Sequence, residues 1–244
     1  AQCGGDIPCL IRETQARTAE LNGFVQKYTE ETRPSPKPRV LHKPAPAASH
    51  KPAPAASATP LSPTEIYRRA SQSVVVVMAF DRERDAVSQG SGVVIGRDTV
   101  ATNCHVLEEA KTAVVMYRGN SYETTAVRGS KAMDYCILST VGLPAHIANI
   151  GGLASVAPGQ RVYSVGSPRG LELTIAEGLV SGLREKDGIS LRLIQTSAAI
   201  SPGSSGGGLF DEYGRVIGIT TFLLKDSQNI NFALPVELSK ALPR

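Results

Sequence analysis

From Ser73 to Pro235 the chain is built of short apolar runs broken by Gly, Asn and Asp: "SVVVVMAF", "GSGVVIG", "TVATNCHV", "TAVVMYRG", "YETTAVRG", "DYCILST", "QRVYSVGS", "TIAEGLVSGL", "LRLIQTS", "GLFDEYGRVIGIT" and "NINFALP". Many short β-rich runs at this spacing predict an all-β fold, a sandwich or a pair of barrels. The most apolar run, at 73–80, reads as a buried strand, since a membrane span needs about 18 consecutive apolar residues. A short helix is expected on each side of the strands. In "SPTEIYRRA", Ser62 caps the start, Pro63 takes the first helical position and Glu65 belongs to a capping box. The other is "PVELSKAL", at 235–242.

Upstream the pattern changes. Residues 7–31 predict a helix, with Leu21, Phe24, Val25 and Tyr28 at helical spacing, Asp6 as a cap and Pro8 in the first turn. Such a stripe suits packing against its own domain or against a partner. Beyond Arg33 the composition turns to Pro, Ala, Ser and Lys, and "HKPAPAAS" occurs twice in tandem, at 42–49 and 50–57. Alternate prolines favour polyproline II and cannot donate to a sheet ladder, so this stretch reads as an extended, disordered linker of about 3.1 Å per residue. The expected organisation is an N-terminal helical segment over 1–32, a Pro/Ala-rich linker over 33–60 and one β domain over 61–244.

Charge narrows the function class. The net +4 is uneven: residues 1–63 carry eight Lys/Arg against five Asp/Glu, leaving eighteen against seventeen for 64–244. A nearly neutral main domain lacks the basic face that replaces counterions on phosphates, which argues against a nucleic-acid partner. The four cysteines, Cys3, Cys9, Cys104 and Cys136, allow three pairings. Cys3 with Cys9 and Cys104 with Cys136 is the favoured one, and four unrelated thiols is the alternative. Two disulfides point to an oxidising compartment. The start on Ala1 suits a mature terminus left by signal-peptide removal. Neither CxxC nor HxxxH spacing occurs, so no metal site and no cofactor is expected.

The stretch "SPGSSGGGLF", 201–210, sets two serines among glycines. Alone it reads as a turn. A serine nucleophile needs a base, and the base needs an orienting group. Of the four histidines, His42 and His50 lie in the linker and His146 follows a turn. His105 stands at the end of the run "TVATNCHV" and is the convincing base. Asp134 stands at the entrance of "DYCILST", where its oxygens can be ordered. A Cys104–Cys136 bridge would hold its Cα atoms within about 7 Å, bringing His105 and Asp134 into one neighbourhood.

"TNCHV", "DYCIL" and "QTSAAISPGSSGGGLF", in this order, resemble the trypsin/chymotrypsin-fold serine endopeptidases, most closely their bacterial HtrA (Deg) branch. "VGSPRGLELTIAEGLVSGL" and "NINFALP" are similar to further segments of that branch, and the likeness covers roughly 64–240. The resemblance implies two six-stranded β-barrels of the chymotrypsin type with short helices. It implies His105, Asp134 and Ser205 as catalytic triad and the backbone N–H groups of Gly203, Ser204 and Ser205 as oxyanion hole. Peptide bonds would be hydrolysed through an acyl-enzyme intermediate. Ala199 falls at the base of the primary pocket, Ile200 and Asn231 line it, and Thr221 and Phe222 edge the substrate-binding strand. Without a carboxylate in that pocket, small or medium aliphatic residues are expected before the cleaved bond.

The chain departs from relatives in two places. Digestive members carry an aspartate before the nucleophile, paired with a newly cut N-terminal ammonium, where Ser204 stands here. HtrA members usually carry a PDZ domain after the protease, and only nine residues follow Pro235 here. The expected partners are protein or peptide substrates, with no membrane span, and with a homo-oligomer or docking partner engaged through the N-terminal helix. The expected location is periplasmic or secreted, in a bacterium. A catalytically silent binding or chaperone-like module on the same fold is the alternative.

Overall fold

In the computed structural model, residues 59–167, 173–186, 191–223 and 229–242 are described. The expected N-terminal helix, the repeat linker and the Cys3–Cys9 pair lie outside them. Twelve strands follow a first helix, α1 (Pro63–Ala70). They are β1 (Val74–Phe80), β2 (Ala86–Gly96), β3 (Thr99–Thr102), β4 (Thr112–Tyr117), β5 (Asn120–Ser130) and β6 (Tyr135–Thr140), then β7 (Arg161–Gly166), β8 (Thr174–Lys186), β9 (Leu191–Thr196), β10 (Gly208–Asp211), β11 (Val216–Leu223) and β12 (Asn231–Pro235). A second short helix, α2 (Leu238–Ala241), follows. Among the described residues no helix is long and apolar enough to cross a membrane.

The strands close into two antiparallel barrels, β1-β2-β3-β6-β5-β4 and β7-β8-β9-β12-β11-β10, so the second repeats the first six strands later. The eleven apolar runs become twelve strands because "GLFDEYGRVIGIT" contains a turn. Asp211 Oδ1 accepts the N–H groups of Tyr213 and Arg215, and Gly214 takes a φ of +74°, which ends β10 and reverses the chain into β11. Closing six strands needs local twist, and register shifts at Val94/Gly96, Val180/Gly182 and Thr220/Phe222 supply it.

Each barrel has its own apolar interior. Val75, Val77, Val94, Val100, Val115 and Leu138 fill the first. Val162, Val180, Ile194, Leu209, Ile217 and Ala233 fill the second. A third cluster, with Ile66, Val74, Tyr135, Tyr163, Phe210 and Ile219, draws on both barrels and on α1. β1 is therefore apolar on both faces, Val75 and Val77 serving the barrel and Val74 the shared cluster, which explains its unbroken valine run. Each buried valine contributes about 1.5 kcal/mol or more to this packing.

Helix α1 starts where expected: Ser62 Oγ accepts the Glu65 N–H at 3.2 Å. The capping box is only half formed, because the Glu65 carboxylate turns to Arg68 and Arg69, each at 2.7 Å, rather than back to the Ser62 N–H. The two guanidiniums also hold Glu65 well below the usual carboxylate range.

Candidate active site

β3 ends at Thr102, and His105 lies one turn further, in a short 3-10 helix, Cys104–Leu107. It thus sits beyond the strand end where the sequence suggested it. Asn103 and Cys104 position this turn. Asn103 is fully buried, its Nδ2 donating to Asp134 O at 3.0 Å, and the Cys104 N–H reaches the same carbonyl at 3.4 Å. A disulfide joins Cys104 to Cys136 with 4.9 Å between Cα atoms, tying the 3-10 turn after β3 to β6 beside the site.

Asp134 immediately precedes β6 with a φ of +55°, a left-handed conformation that Asp and Asn tolerate better than most residues. In that pose its carboxylate meets His105 twice: Oδ1 accepts the backbone N–H at 2.9 Å and Oδ2 pairs with Nδ1 at 2.8 Å. An ionised carboxylate accepts only, so the pairing assigns the proton to Nδ1 and leaves Nε2 as the acceptor. Burial pushes the Asp134 pKa up, but the hydrogen bonds and charge of His105, with the Thr221 hydroxyl, outweigh it and hold the group below its ordinary value.

Thr221 reaches this carboxylate because of a bulge. In the β11–β12 ladder Thr220 pairs with Ala233 and Phe222 with Phe232, which leaves Thr221 as the extra residue. A bulged residue is freed to turn its groups elsewhere. Its Oγ1 donates to Asp134 Oδ2 at 2.9 Å, and its carbonyl accepts the Ser205 hydroxyl at 2.9 Å. Thr221 therefore joins the carboxylate to the serine. Among the described residues no hydrogen bond links Ser205 directly to His105; its hydroxyl is turned to Thr221 O.

The serine loop is shaped by a tight turn over Ser201–Ser204. Pro202 and Gly203 occupy its centre, Gly203 has a φ of +93° and the Ser204 N–H closes on Ser201 O at 2.8 Å, the signature of a type II turn. Of the three backbone donors expected for an oxyanion hole, Ser204 is thus already committed. Of the three, Gly203 and Ser205 keep N–H groups without an acceptor among the described residues. The carbonyls are all held. Gly203 O accepts from Ser91 Oγ at 2.8 Å, Ser204 O from Thr220 Oγ1 at 2.7 Å and from the Gly207 N–H, and Ser205 O from the Ser91 N–H at 2.7 Å.

Ala199 lines a small cavity behind the serine loop together with Ser164, Gly166, Thr174, Ser204 and Thr220. Ile200 is buried, and buried Asn231 donates its Nδ2 to Ala198 O at 2.9 Å, so that amide group braces the chain before Ala199. Thr221 faces Asp134 and Ser205. The side chain of Phe222 lies outside the described residues. His146 is exposed. Sequence reasoning missed Ser91, Asn103 and Thr220. Only Ser91 left a trace, as a polar residue between two glycines inside the apolar run "GSGVVIG".

A family profile described as a trypsin-like peptidase domain matches residues 90–219, more than half of the 244-residue chain. The chain is 34% identical over 159 residues to the putative serine protease HhoB of Synechocystis sp., covering 62% of this chain and 38% of that one. It is 32% identical over 166 residues to a probable periplasmic serine endoprotease DegP-like of Pseudomonas putida, covering 65% and 35%. The chain therefore spans well under half the length of these relatives. A solved HtrA-type protease, AlgW with a tripeptide, superposes with a TM-score of 0.66 at 31% identity, over 74% of this chain and 62% of that one.

Proposed function

The chain belongs to the trypsin-like peptidase family, and on that premise we propose that it is a serine endopeptidase in which Ser205 is the nucleophile, His105 the general base and Asp134 its orienting partner. The observation that carries this reading is the bridge through Thr221, which ties the His105-bound carboxylate of Asp134 to the hydroxyl of Ser205. A rotation about the Ser205 Cα–Cβ bond takes Oγ from Thr221 O toward His105 Nε2. As Oγ attacks the scissile carbonyl carbon, Nε2 takes its proton and Asp134 stabilises the imidazolium. The negative charge that develops on the carbonyl oxygen is met by the Gly203 and Ser205 N–H groups. The proton then passes to the leaving amine, and water repeats the sequence on the acyl-enzyme.

Ala199 and Ile200 place no carboxylate at the base of the primary pocket, which supports small or medium aliphatic residues before the cleaved bond. An apolar pocket separates such side chains by only about 1–3 kcal/mol, so selectivity is loose. A disulfide beside the site and likeness to a DegP-like periplasmic endoprotease support a periplasmic or secreted location with protein or peptide substrates. The N-terminal segment over 1–32 then serves as a docking or self-association element, tethered by the 33–60 linker to the 61–244 domain. Cleavage-site profiling on a peptide library is the test. Cuts after aliphatic residues that vanish in Ser205→Ala are expected. A folded wild-type protein that cuts nothing would favour a silent binding module.

A further inference from the structure

Ser91 is completely buried in β2, in the first barrel, yet its contacts run to the serine loop of the second. The strand comes close here because its neighbour is glycine. A Cβ on Gly90 would stand 2.6 Å from Val106 Cγ2 and 3.0 Å from Ser205 O. Four hydrogen bonds converge on Ser91. Its N–H donates to Ser205 O at 2.7 Å, its carbonyl accepts from Thr102 Oγ1 at 2.7 Å, its hydroxyl accepts the Ser167 N–H at 2.9 Å, and that hydroxyl donates to Gly203 O at 2.8 Å.

A serine hydroxyl has one proton to give. With the Ser167 N–H on a lone pair, that proton is directed at Gly203 O, and the two bonds polarise one another. The Gly203 and Ser205 N–H groups are separated by the torsions of Gly203 and Ser204, and Gly203 lacks a β-carbon to restrict its own. Ser91 grips the carbonyl at each end of that stretch. We propose that Ser91 is a positioning residue for the oxyanion hole: its hydroxyl fixes the Gly203 peptide so that the two free N–H groups point at one oxygen. Asp134 orients the proton acceptor, His105; Ser91, from the same barrel, orients the N–H donors that meet the oxyanion.

This inference rests on the acyl-transfer reading, and the experiment separates the two. Steady-state hydrolysis of a peptide ester and a peptide amide is measured per folded molecule, alongside the affinity of a peptide boronate, for the wild type, Ser91→Ala and Ser73→Ala. Ser73 is another buried serine, whose hydroxyl bonds Ala70 O at 3.1 Å away from the loop. Removing a whole oxyanion donor costs about 10²–10³-fold in kcat, and misdirecting one should cost about 30-fold. Ser91→Ala is expected to lose that factor in kcat and in boronate affinity with KM within about twofold, while Ser73→Ala keeps both. A Ser91→Ala enzyme with kcat within threefold of wild type, or with its loss in KM alone, overturns the proposal. Should Ser91→Ala fail to fold, Ser91→Cys takes its place: its thiol is a weak donor, so the same kcat-only loss is expected and retained kcat overturns it. A wild type that neither hydrolyses the substrates nor binds the boronate defeats the acyl-transfer reading itself.

Discussion

The two barrels hold their halves of the site by different means. The first fixes His105 and Asp134 with a disulfide, an aspartate in the left-handed region and two hydrogen bonds between one residue pair. The second holds Ser205 on a glycine-rich loop without covalent support, and two of that loop's carbonyl bonds come from Ser91 of the first barrel. The His105–Asp134 pair is thus hydrogen-bonded in place, whereas the Ser205 hydroxyl rests on Thr221 O. Identical strand orders thus support unequal anchoring: one half of the candidate site is tied by a disulfide and paired hydrogen bonds, the other by hydrogen bonds alone.

Substitutions can break that contrast in graded steps. Asp134→Asn should have the largest effect, lowering kcat by about 10⁴-fold through the wrong His105 tautomer, while circular dichroism and Tm report a retained fold. Asn accepts the same positive φ, so a loss of fold instead would mean that the carboxylate serves structure more than orientation. The linkage sign follows from the depressed pKa: the stability Asp134 contributes is complete above its unfolded pKa and is lost as pH falls through the lower folded value. Urea titrations of wild type and Asp134→Asn should therefore differ by a constant amount at neutral pH and converge below about pH 4. Removing the bridge with Cys104→Ser and Cys136→Ser closes no loop in the unfolded chain, and should cost about 2–4 kcal/mol in denaturant unfolding. An unchanged midpoint would show that the first barrel is no stiffer for its disulfide.

Thr221→Val sharpens the link between the halves. It removes one hydrogen bond to the carboxylate and keeps the carbonyl, so a loss of about 1.4 kcal/mol, or tenfold in kcat/KM, is expected by kinetics. A larger loss would make the bulge a full member of the machinery. Ser204→Ala should have the smallest effect, within about 0.5 kcal/mol in both kcat/KM and stability, since this residue works through its backbone.

Much of the frame was legible in the sequence. Apolar runs and their breakers give the strands, and the cysteines beside His105 and Asp134 announce the bridge that the structure contains. The loop chemistry was less so. The commitment of the Ser204 N–H to Ser201 O depends on the turn type, which Pro202 and Gly203 could have suggested. The link from Thr221 to Asp134 and Ser205 was not legible, because a bulge is a property of the paired register and leaves the alternation of one strand almost unchanged. His105 sits past its strand because a single 3-10 turn is too short to carry a periodic signal. Ser91 was hidden for a different reason: its partners are 76 and 112 residues away in sequence, as only closure of both barrels brings them together.

The central proposal is one nucleophile, Ser205, activated by a pair on the opposite barrel. Its most direct test is labelling with a fluorophosphonate followed by peptide mass mapping of the wild type, Ser205→Ala and Ser204→Ala. A single adduct on Ser205, absent in Ser205→Ala and retained in Ser204→Ala, is predicted. An adduct on Ser204, or an unlabelled wild type that is folded, would contradict it.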